Sequence, residues 1–287
     1  MVYFQNMKSF EAPRPAAENE TEVLDLDVLY EKAQESLEDE DRIEPSSFAD
    51  RYKQETIDAD ERYVREMEAR FEASNTPEQE RGKKLATVFE SAFYRNADLN
   101  EWLGPDTSII LASRYDDIKN GVDGIAEFTP EGASASHLAM AIDVTITPAL
   151  EAKFQRIKND IDKGELTMVK YFASDHMRGE LLNIPRVVIG ADADTALEAA
   201  LLTHKRKNKE LAHHWLQFQI LEEMDNQLRV FEHYAREKAK QSYVAKIMAQ
   251  SGSLIRRIRE EKSKTLRDPR TRDGVFATMQ KHLTMFV

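Results

Sequence analysis

Cysteine is absent from the 287 residues of this chain, which excludes disulfide bonds and metal sites built on thiolates. The sequence also lacks any run of about 18 apolar residues, so we expect no transmembrane helix. A secretory signal, with its charged start, apolar middle and small-residue cleavage site, is missing as well. Together these absences predict a cytoplasmic protein that does not bind membranes.

The motifs of several common enzyme classes are missing too. The sequence contains no P-loop, no Rossmann glycine fingerprint, no G-x-S-x-G nucleophile elbow and no protein-kinase signature. Gly121 and Gly124 flank Asp123, and we interpret this pair as a tight start to a strand rather than as a phosphate-binding loop. Function must therefore be inferred from other residues.

Charge is distributed unevenly, although the formal net charge is −12. Residues 1–80 carry 9 basic and 23 acidic side chains, whereas residues 205–287 carry 18 basic and 10 acidic ones. Such asymmetry indicates either a pairing of the two parts or a basic module that binds a polyanion. Long solvated helices that simply carry many charges are an equally good explanation.

The sequence patterns divide the chain into four parts. Residues 1–45 combine a tag-like remnant (VYFQN) with a predicted acidic, largely disordered arm, in which VLDLDVLY could dock or turn helical. Residues 46–76 predict a charged helix, and residues 77–204 predict an α/β core. Residues 205–287 predict a basic helical region, whose long amphipathic helices would pack on the core or form a homo-oligomer.

Within the core, helical and strand-like patterns follow one another in a definite order. A helix from Pro77 to about Arg95 precedes a short strand or buried loop and two β-like runs. A second helix then ends at Gly164, as helices often do at glycine. Two further β-like runs and a helix follow. This order predicts a mixed α/β fold with a small central sheet and helical additions at both ends.

Two of the β-like runs each carry one aspartate among apolar residues: Asp123 in NGVDGIAEF and Asp143 in HLAMAIDVTIT. Because side chains alternate along a strand, Asp143 and its alternate neighbours share one face and Leu138, Met140, Ile142, Val144 and Ile146 share the other. A polar connection joins the two runs, which predicts an antiparallel pair with both aspartates on one face. A buried carboxylate needs a partner, and a divalent metal is one candidate.

In their acidic residues and in the order of their predicted helices and strands, residues 79–200 resemble the PD-(D/E)xK nuclease superfamily. The core of that family consists of a helix, a strand meander, a helix and a further strand. Glu90 matches the acid of the first helix, Asp123 the strand aspartate and Asp143 the first residue of (D/E)-x-K. The resemblance implies that these carboxylates bind Mg²⁺ or Mn²⁺, which prefer oxygen ligands, and that the metal activates water for phosphodiester cleavage.

The chain departs from the family at the lysine, because Thr145 occupies that position. In the family this lysine is thought to orient or activate the attacking water, and a neutral hydroxyl cannot supply its charge. Lys119, Lys153 and Lys170 are candidates to replace it. We favour Lys153, because its helix follows the strand that holds Asp143.

Three functions remain open at this point. The first is a metal-dependent nuclease acting on DNA, or alternatively on RNA, with Lys153 or Thr145 facing the attacking water. The second is a nuclease-like fold that no longer cuts and serves as a nucleic-acid-binding or assembly module. The third is a helical protein-interaction module. In the first two, the phosphates would be held by the basic residues Lys205, Arg206, Lys207, Lys209, Arg256, Arg257 and Arg259.

Overall fold

A computed structural model describes residues 25–39, 42–129, 138–146 and 150–287. Within these residues the chain forms ten α-helices and six β-strands. The helices are α1 (Leu26–Asp39), α2 (Gln54–Ser74), α3 (Pro77–Leu99), α4 (Arg114–Asn120), α5 (Glu151–Lys163), α6 (Ala193–His204), α7 (Asn208–Leu211), α8 (Leu216–Glu237), α9 (Ser242–Thr265) and α10 (Gly274–Leu283). The strands are β1 (Thr107–Leu111), β2 (Gly124–Phe128), β3 (Leu138–Thr145), β4 (Thr167–Ala173), β5 (Arg178–Ile184) and β6 (Arg186–Gly190).

The strands form two sheets. β1, β2 and β3 form an antiparallel meander, and β6 pairs with β3 in the parallel orientation, which gives the order β1-β2-β3-β6. β4 and β5 form a separate antiparallel hairpin. Parallel neighbours need a crossover connection, and here it contains α5 and the hairpin. The predicted mixed α/β fold, with a small sheet and helices at both ends, is therefore confirmed.

Local sequence explains where the core helices begin and end. Thr76 and Gln79 form a reciprocal capping box at the start of α3, and Pro77 occupies its first turn. α5 ends at Gly164, which adopts the left-handed conformation with φ 75°. Both helices were predicted, and α3 runs one turn beyond Arg95.

Hydrophobic clusters cover both faces of the main sheet. Leu138, Met140, Ile142 and Val144 of β3 belong to the larger cluster, which α3, α5, α6 and α8 complete. Ala139 and Ala141 belong to a smaller cluster under the β4–β5 hairpin. The alternation predicted for β3 is confirmed, and Asp143 lies on the face of the smaller cluster.

Polar contacts hold the hairpin against the helices. Asp116 of α4 is buried and accepts the backbone N–H groups of Lys170 and Tyr171 at 2.7 and 3.0 Å. Asp60 of α2 contacts the Lys170 ammonium and accepts the Tyr171 hydroxyl at 2.6 Å. The same ammonium lies 5.0 Å from the centre of the Tyr52 ring. The Lys170 ammonium is therefore already paired, and it joins the hairpin to α2.

Side chains of α8 cover the outer edge of β6. The Gln227 amide donates to the Val188 carbonyl at 2.6 Å and accepts the Val188 N–H at 2.8 Å. Glu223 accepts the Gly190 N–H and Gln219 donates to the Gly190 carbonyl, both at 3.0 Å. The spacing of four residues places these side chains in one row along the helix. They satisfy backbone groups that would otherwise be buried without partners.

The prediction of a largely disordered arm is wrong for residues 31–39, which form most of α1. The helix begins within VLDLDVLY, the segment that we expected could dock or turn helical. Leu29, Ala33 and Leu37 recur every four residues and are buried in the larger cluster. Their spacing creates an apolar stripe that packs on α3, despite the acidic composition. Residues 1–24, 40 and 41 lie outside the described residues.

Two further predictions need correction. The charged helix expected over residues 46–76 begins only at Gln54, because residues 45–48 form a short 3₁₀ turn. β5 was interpreted as a connection, yet it pairs with β4 and buries Gly179 and Leu181 between exposed residues. In the part of the chain that the structure describes, no helix is long and apolar enough to cross a membrane.

Candidate active site

Asp123, directly before β2, and Asp143 of β3 lie at the same end of the main sheet. Gly124 is opposite Ile142 in the register, and the Asp123 N–H donates to the Ile142 carbonyl at 3.0 Å. Asp123 therefore lies next to the segment of β3 that holds Asp143, and the charge of Asp143 acts on its carboxyl. Asp143 is buried and Asp123 is partly buried. The structure brings together the two residues that the sequence singled out.

Lys153 supplies a positive charge to this pair. It lies in the first turn of α5, and its ammonium contacts Asp143 Oδ1 and donates to the Val144 carbonyl at 3.1 Å. Asp123 Oδ2 accepts the Val144 N–H at 2.6 Å. Because α5 follows β3 along the chain, its first turn places the Lys153 ammonium next to the C-terminal end of β3.

The other two lysine candidates lie elsewhere. The Lys119 ammonium lies 5.0 Å from the centre of the Tyr63 ring, and Lys170 is bound to Asp60. Thr145 is buried opposite Gly190 of β6. A Cβ atom at Gly190 would come within 3.1 Å of its methyl group, so Thr145 packs closely beneath the neighbouring strand.

Glu90 lies near the two aspartates, on α3. Its carboxylate is 3.8 Å from the Arg42 guanidinium, which is in turn 3.9 Å from Asp117 Oδ2. Sequence reasoning missed Arg42 and Asp117, because they come from segments far from Glu90 along the chain and belong to no motif.

Burial and neighbouring negative charges both act on the Asp123 carboxyl. Burial raises the pKa of its carboxyl well above the ordinary range, and the charges of Asp143, Asp117 and Glu90 raise it further, while Lys153 opposes them. Burial also raises the pKa of Asp143, and Lys153 counteracts this. Carboxylates packed in this way favour an additional positive charge.

Tyr94 also belongs to the site and lies on α3, one helical turn after Glu90. It is buried, and its hydroxyl has no hydrogen-bond partner among the described residues. Burial and the nearby charges of Glu90 and Asp123 raise its pKa. A Cβ atom at Gly124 would lie 2.8 Å from this hydroxyl. Buried hydroxyls are nearly always paired, so Tyr94 indicates a further polar group at this site.

The oxygens that Asp123 and Asp143 offer are of the type that Mg²⁺ and Mn²⁺ prefer. Within the described residues, however, no three acidic or histidine side chains are already grouped around one point. Lys153 holds Asp143, and the Val144 amide holds Asp123. A cation would have to displace the ammonium from Asp143 or bind beside it.

The predicted phosphate-binding arginines of α9 mainly join helices. Arg256 pairs with Asp225 at 3.0 Å, and Arg259 pairs with Glu222 at 3.0 Å, both across to α8. Arg257 instead lines a cavity together with Phe128, at the end of β2 opposite to Asp123.

The basic residues after α6 also lie at that end of the sheet. Asn96 in the C-terminal half of α3 donates to Thr203 at 2.8 Å, whereas Glu90 lies in the middle of the helix. Lys205, Arg206, Lys207 and Lys209 therefore follow the far end of α3, and Lys207 pairs with Glu210 at 3.4 Å. The cations that act on Asp143 are Lys153 and Arg186.

Comparison with known protein families, curated proteins and solved structures finds no match to this chain.

Proposed function

We propose that this chain is a metal-dependent nuclease that hydrolyses phosphodiester bonds of nucleic acid, with DNA as the expected substrate. The observation that carries the proposal is the proximity of Asp123 and Asp143, whose charges act on each other, with Lys153 in contact with Asp143. With α4 and the β4–β5 hairpin as insertions, the order α3, β1, β2, β3, α5 and β6 supports it, since the PD-(D/E)xK resemblance implies that order.

Each residue of the site has a definite role in this proposal. Asp123 and Asp143 would hold Mg²⁺ or Mn²⁺, and Glu90 would support them. When bound, the ion supplies the positive charge that activates water and neutralises the phosphate. Lys153 provides the ammonium that Thr145 cannot, and orients the attacking water or a phosphate oxygen. The Tyr94 hydroxyl donates a hydrogen bond into the site.

We assign the nearest phosphate contact to Arg42. Arg42 lies between Glu90 and Asp117. Arg186 also acts on Asp143, but its guanidinium is buried and bound to Asp160 and to the Asn120 carbonyl, so it supports the site from within. The basic residues after α6 and on α9 lie at the other end of the sheet. They would reach only a nucleic acid long enough to extend along the protein.

Cleavage of plasmid, single-stranded DNA and RNA with Mg²⁺ or Mn²⁺ tests the proposal. We expect Asp143→Asn and Lys153→Met each to lower the rate about 100-fold, as loss of a transition-state contact does. Asp175→Asn, an exposed aspartate, and Lys163→Met, an exposed lysine of α5, serve as matched controls. Both should retain the wild-type rate.

Two results would overturn the nuclease proposal. One is the absence of cleavage by the wild-type protein on all three substrates with either ion. The other is an Asp143→Asn variant as active as wild type, because a contaminating nuclease would then explain the cleavage.

The second candidate is a nuclease-like protein that binds nucleic acid without cutting it. It is favoured by the internal partners of Asp123 and Asp143 and by Thr145 in place of a lysine. Binding that weakens steeply with salt, without cleavage, would support this candidate. Neither cleavage nor binding, together with a stable oligomer, would favour the helical protein-interaction module.

A further inference from the structure

A cavity of about 400 Å³ lies between α9 and the connection from α3 to β1. Its volume is in the range of small-molecule sites. Apolar side chains form much of its wall, among them Leu103, Phe128, Leu254 and Ile258. Because Phe128 ends β2, the cavity lies at the opposite end of the sheet from Asp123 and is separate from the candidate active site.

Lys262 of α9 lines this cavity. The ammonium donates to Gln217 Oε1 at 2.8 Å. The Gln217 amide in turn donates to the carbonyls of Ala212 and His214 at 3.1 and 2.9 Å. Gln217 is buried and held in place, so it provides a fixed but neutral acceptor. An ammonium has three donors, which leaves two for another partner.

No salt bridge neutralises Lys262 within the described part of the chain. Burial lowers its pKa to about 8, and the charge of Glu101 only partly opposes this. Glu101, Asp106 and Glu261 line the cavity but are exposed at its rim. A positive charge next to apolar walls is costly without an anion, and an anionic ligand would remove that cost.

We propose that this cavity binds a small amphipathic monoanion, a carboxylate with an aliphatic tail, whose head group pairs with Lys262 and whose tail contacts Leu103, Leu254 and Ile258. Arg257 is exposed at the rim together with Glu101, Asp106 and Glu261, so the preference for an anion depends on Lys262. A nucleic-acid phosphate backbone fits less well, because it needs a row of exposed cations rather than a single ammonium among apolar side chains. The proposal does not depend on nuclease activity.

Isothermal titration of the full chain with octanoate, 1-octanol and octylamine tests the proposal, since the three probes share one tail. We expect octanoate to bind saturably with one molecule per chain. The two other probes should bind about tenfold more weakly or not at all, because they lack the anion. Lys262→Met, which keeps the aliphatic stem, should weaken octanoate binding about tenfold. Lys264→Met, an exposed lysine of the same helix, should not change it.

A second pair of variants tests the position of the tail without altering Lys262. Thr265 lines the cavity and is exposed at the end of α9, so Thr265→Trp should block octanoate, whereas Ser263→Trp should not. Circular dichroism would confirm that each variant is folded. The proposal is overturned if octanoate does not bind saturably, if 1-octanol binds equally well, or if neither Lys262→Met nor Thr265→Trp reduces binding.

Discussion

The candidate site requires a glycine at position 124, because any side chain there would meet Tyr94. A Cβ atom there would lie 2.8 to 3.0 Å from the hydroxyl and ring of Tyr94. Because Tyr94 is buried and cannot retreat, we expect Gly124→Ala to lower the free energy of unfolding by about 1–3 kcal/mol. Urea denaturation measures the change.

Gly82 provides a matched control for this substitution. It lies inside α3, with no atom within 4 Å of an added Cβ. Gly82→Ala should therefore raise stability by about 0.5–1 kcal/mol, since alanine loses less entropy in a helix. Equal effects of the two substitutions would contradict the predicted clash with Tyr94.

Glu223 is a buried acid that should make stability depend on pH. Burial raises the pKa of its carboxyl well above the ordinary value of 4.5. The folded protein therefore retains a proton that the unfolded chain releases, so stability should fall as pH rises above 4.5 towards the folded pKa. Glu223→Gln cannot ionise and should reduce this fall.

Urea midpoints of wild type and Glu223→Gln at pH 5 and pH 8 measure the effect. The wild-type midpoint should drop more than that of the variant between the two pH values. An identical drop in both proteins would show that Glu223 does not contribute to it.

At the scale of elements, polar side chains of α8 form the hydrogen bonds with the backbone of β6 that a neighbouring strand would otherwise form. Gln227 satisfies both backbone groups of Val188, and Gln227→Ala would leave them buried without partners. We expect a loss of about 2–5 kcal/mol in the free energy of unfolding. Hydrogen exchange at the Val188 amide should become faster. Arg229→Ala, an exposed residue of α8, should have little effect on either measurement.

The elements also differ in how well their sequences predict them. α3 and α5 were predicted because an apolar stripe coincides with a proline at the first position or a terminal glycine. β5 was missed, because an edge strand of a hairpin has a weak pattern and depends on its pairing with β4. α1 was hidden by its acidic composition, although its stripe of Leu29, Ala33 and Leu37 was present.

At the scale of the whole molecule, ion pairs join the C-terminal helices to one another. Glu222 of α8 pairs with Arg259 of α9 at 3.0 Å and with Arg272, before α10, at 2.5 Å. Glu222→Gln should lower the free energy of unfolding by about 1 kcal/mol, and less in high salt, because partly exposed pairs are screened. Thermal denaturation at low and high salt measures this. An effect that does not change with salt would exclude an ionic origin.

These ion pairs account for part of the positive charge of the C-terminal region. Its positive charge was visible in the composition and suggested phosphate binding. The fold uses Arg256, Arg259 and Arg272 to neutralise acids on α8 and before α10. Whether the remaining cations contact nucleic acid stays a prediction.

The sequence by itself determined the mixed α/β class, the alternation of β3 and the prominence of Asp123 and Asp143. Each of these depends on local spacing, which is readable without knowing what packs against it. Only the tertiary structure decided that Lys153 contacts Asp143, that Tyr94 and Arg42 join the site, and that Lys262 lines a separate cavity. These contacts depend on strand register and helix packing, which bring together residues far apart along the chain.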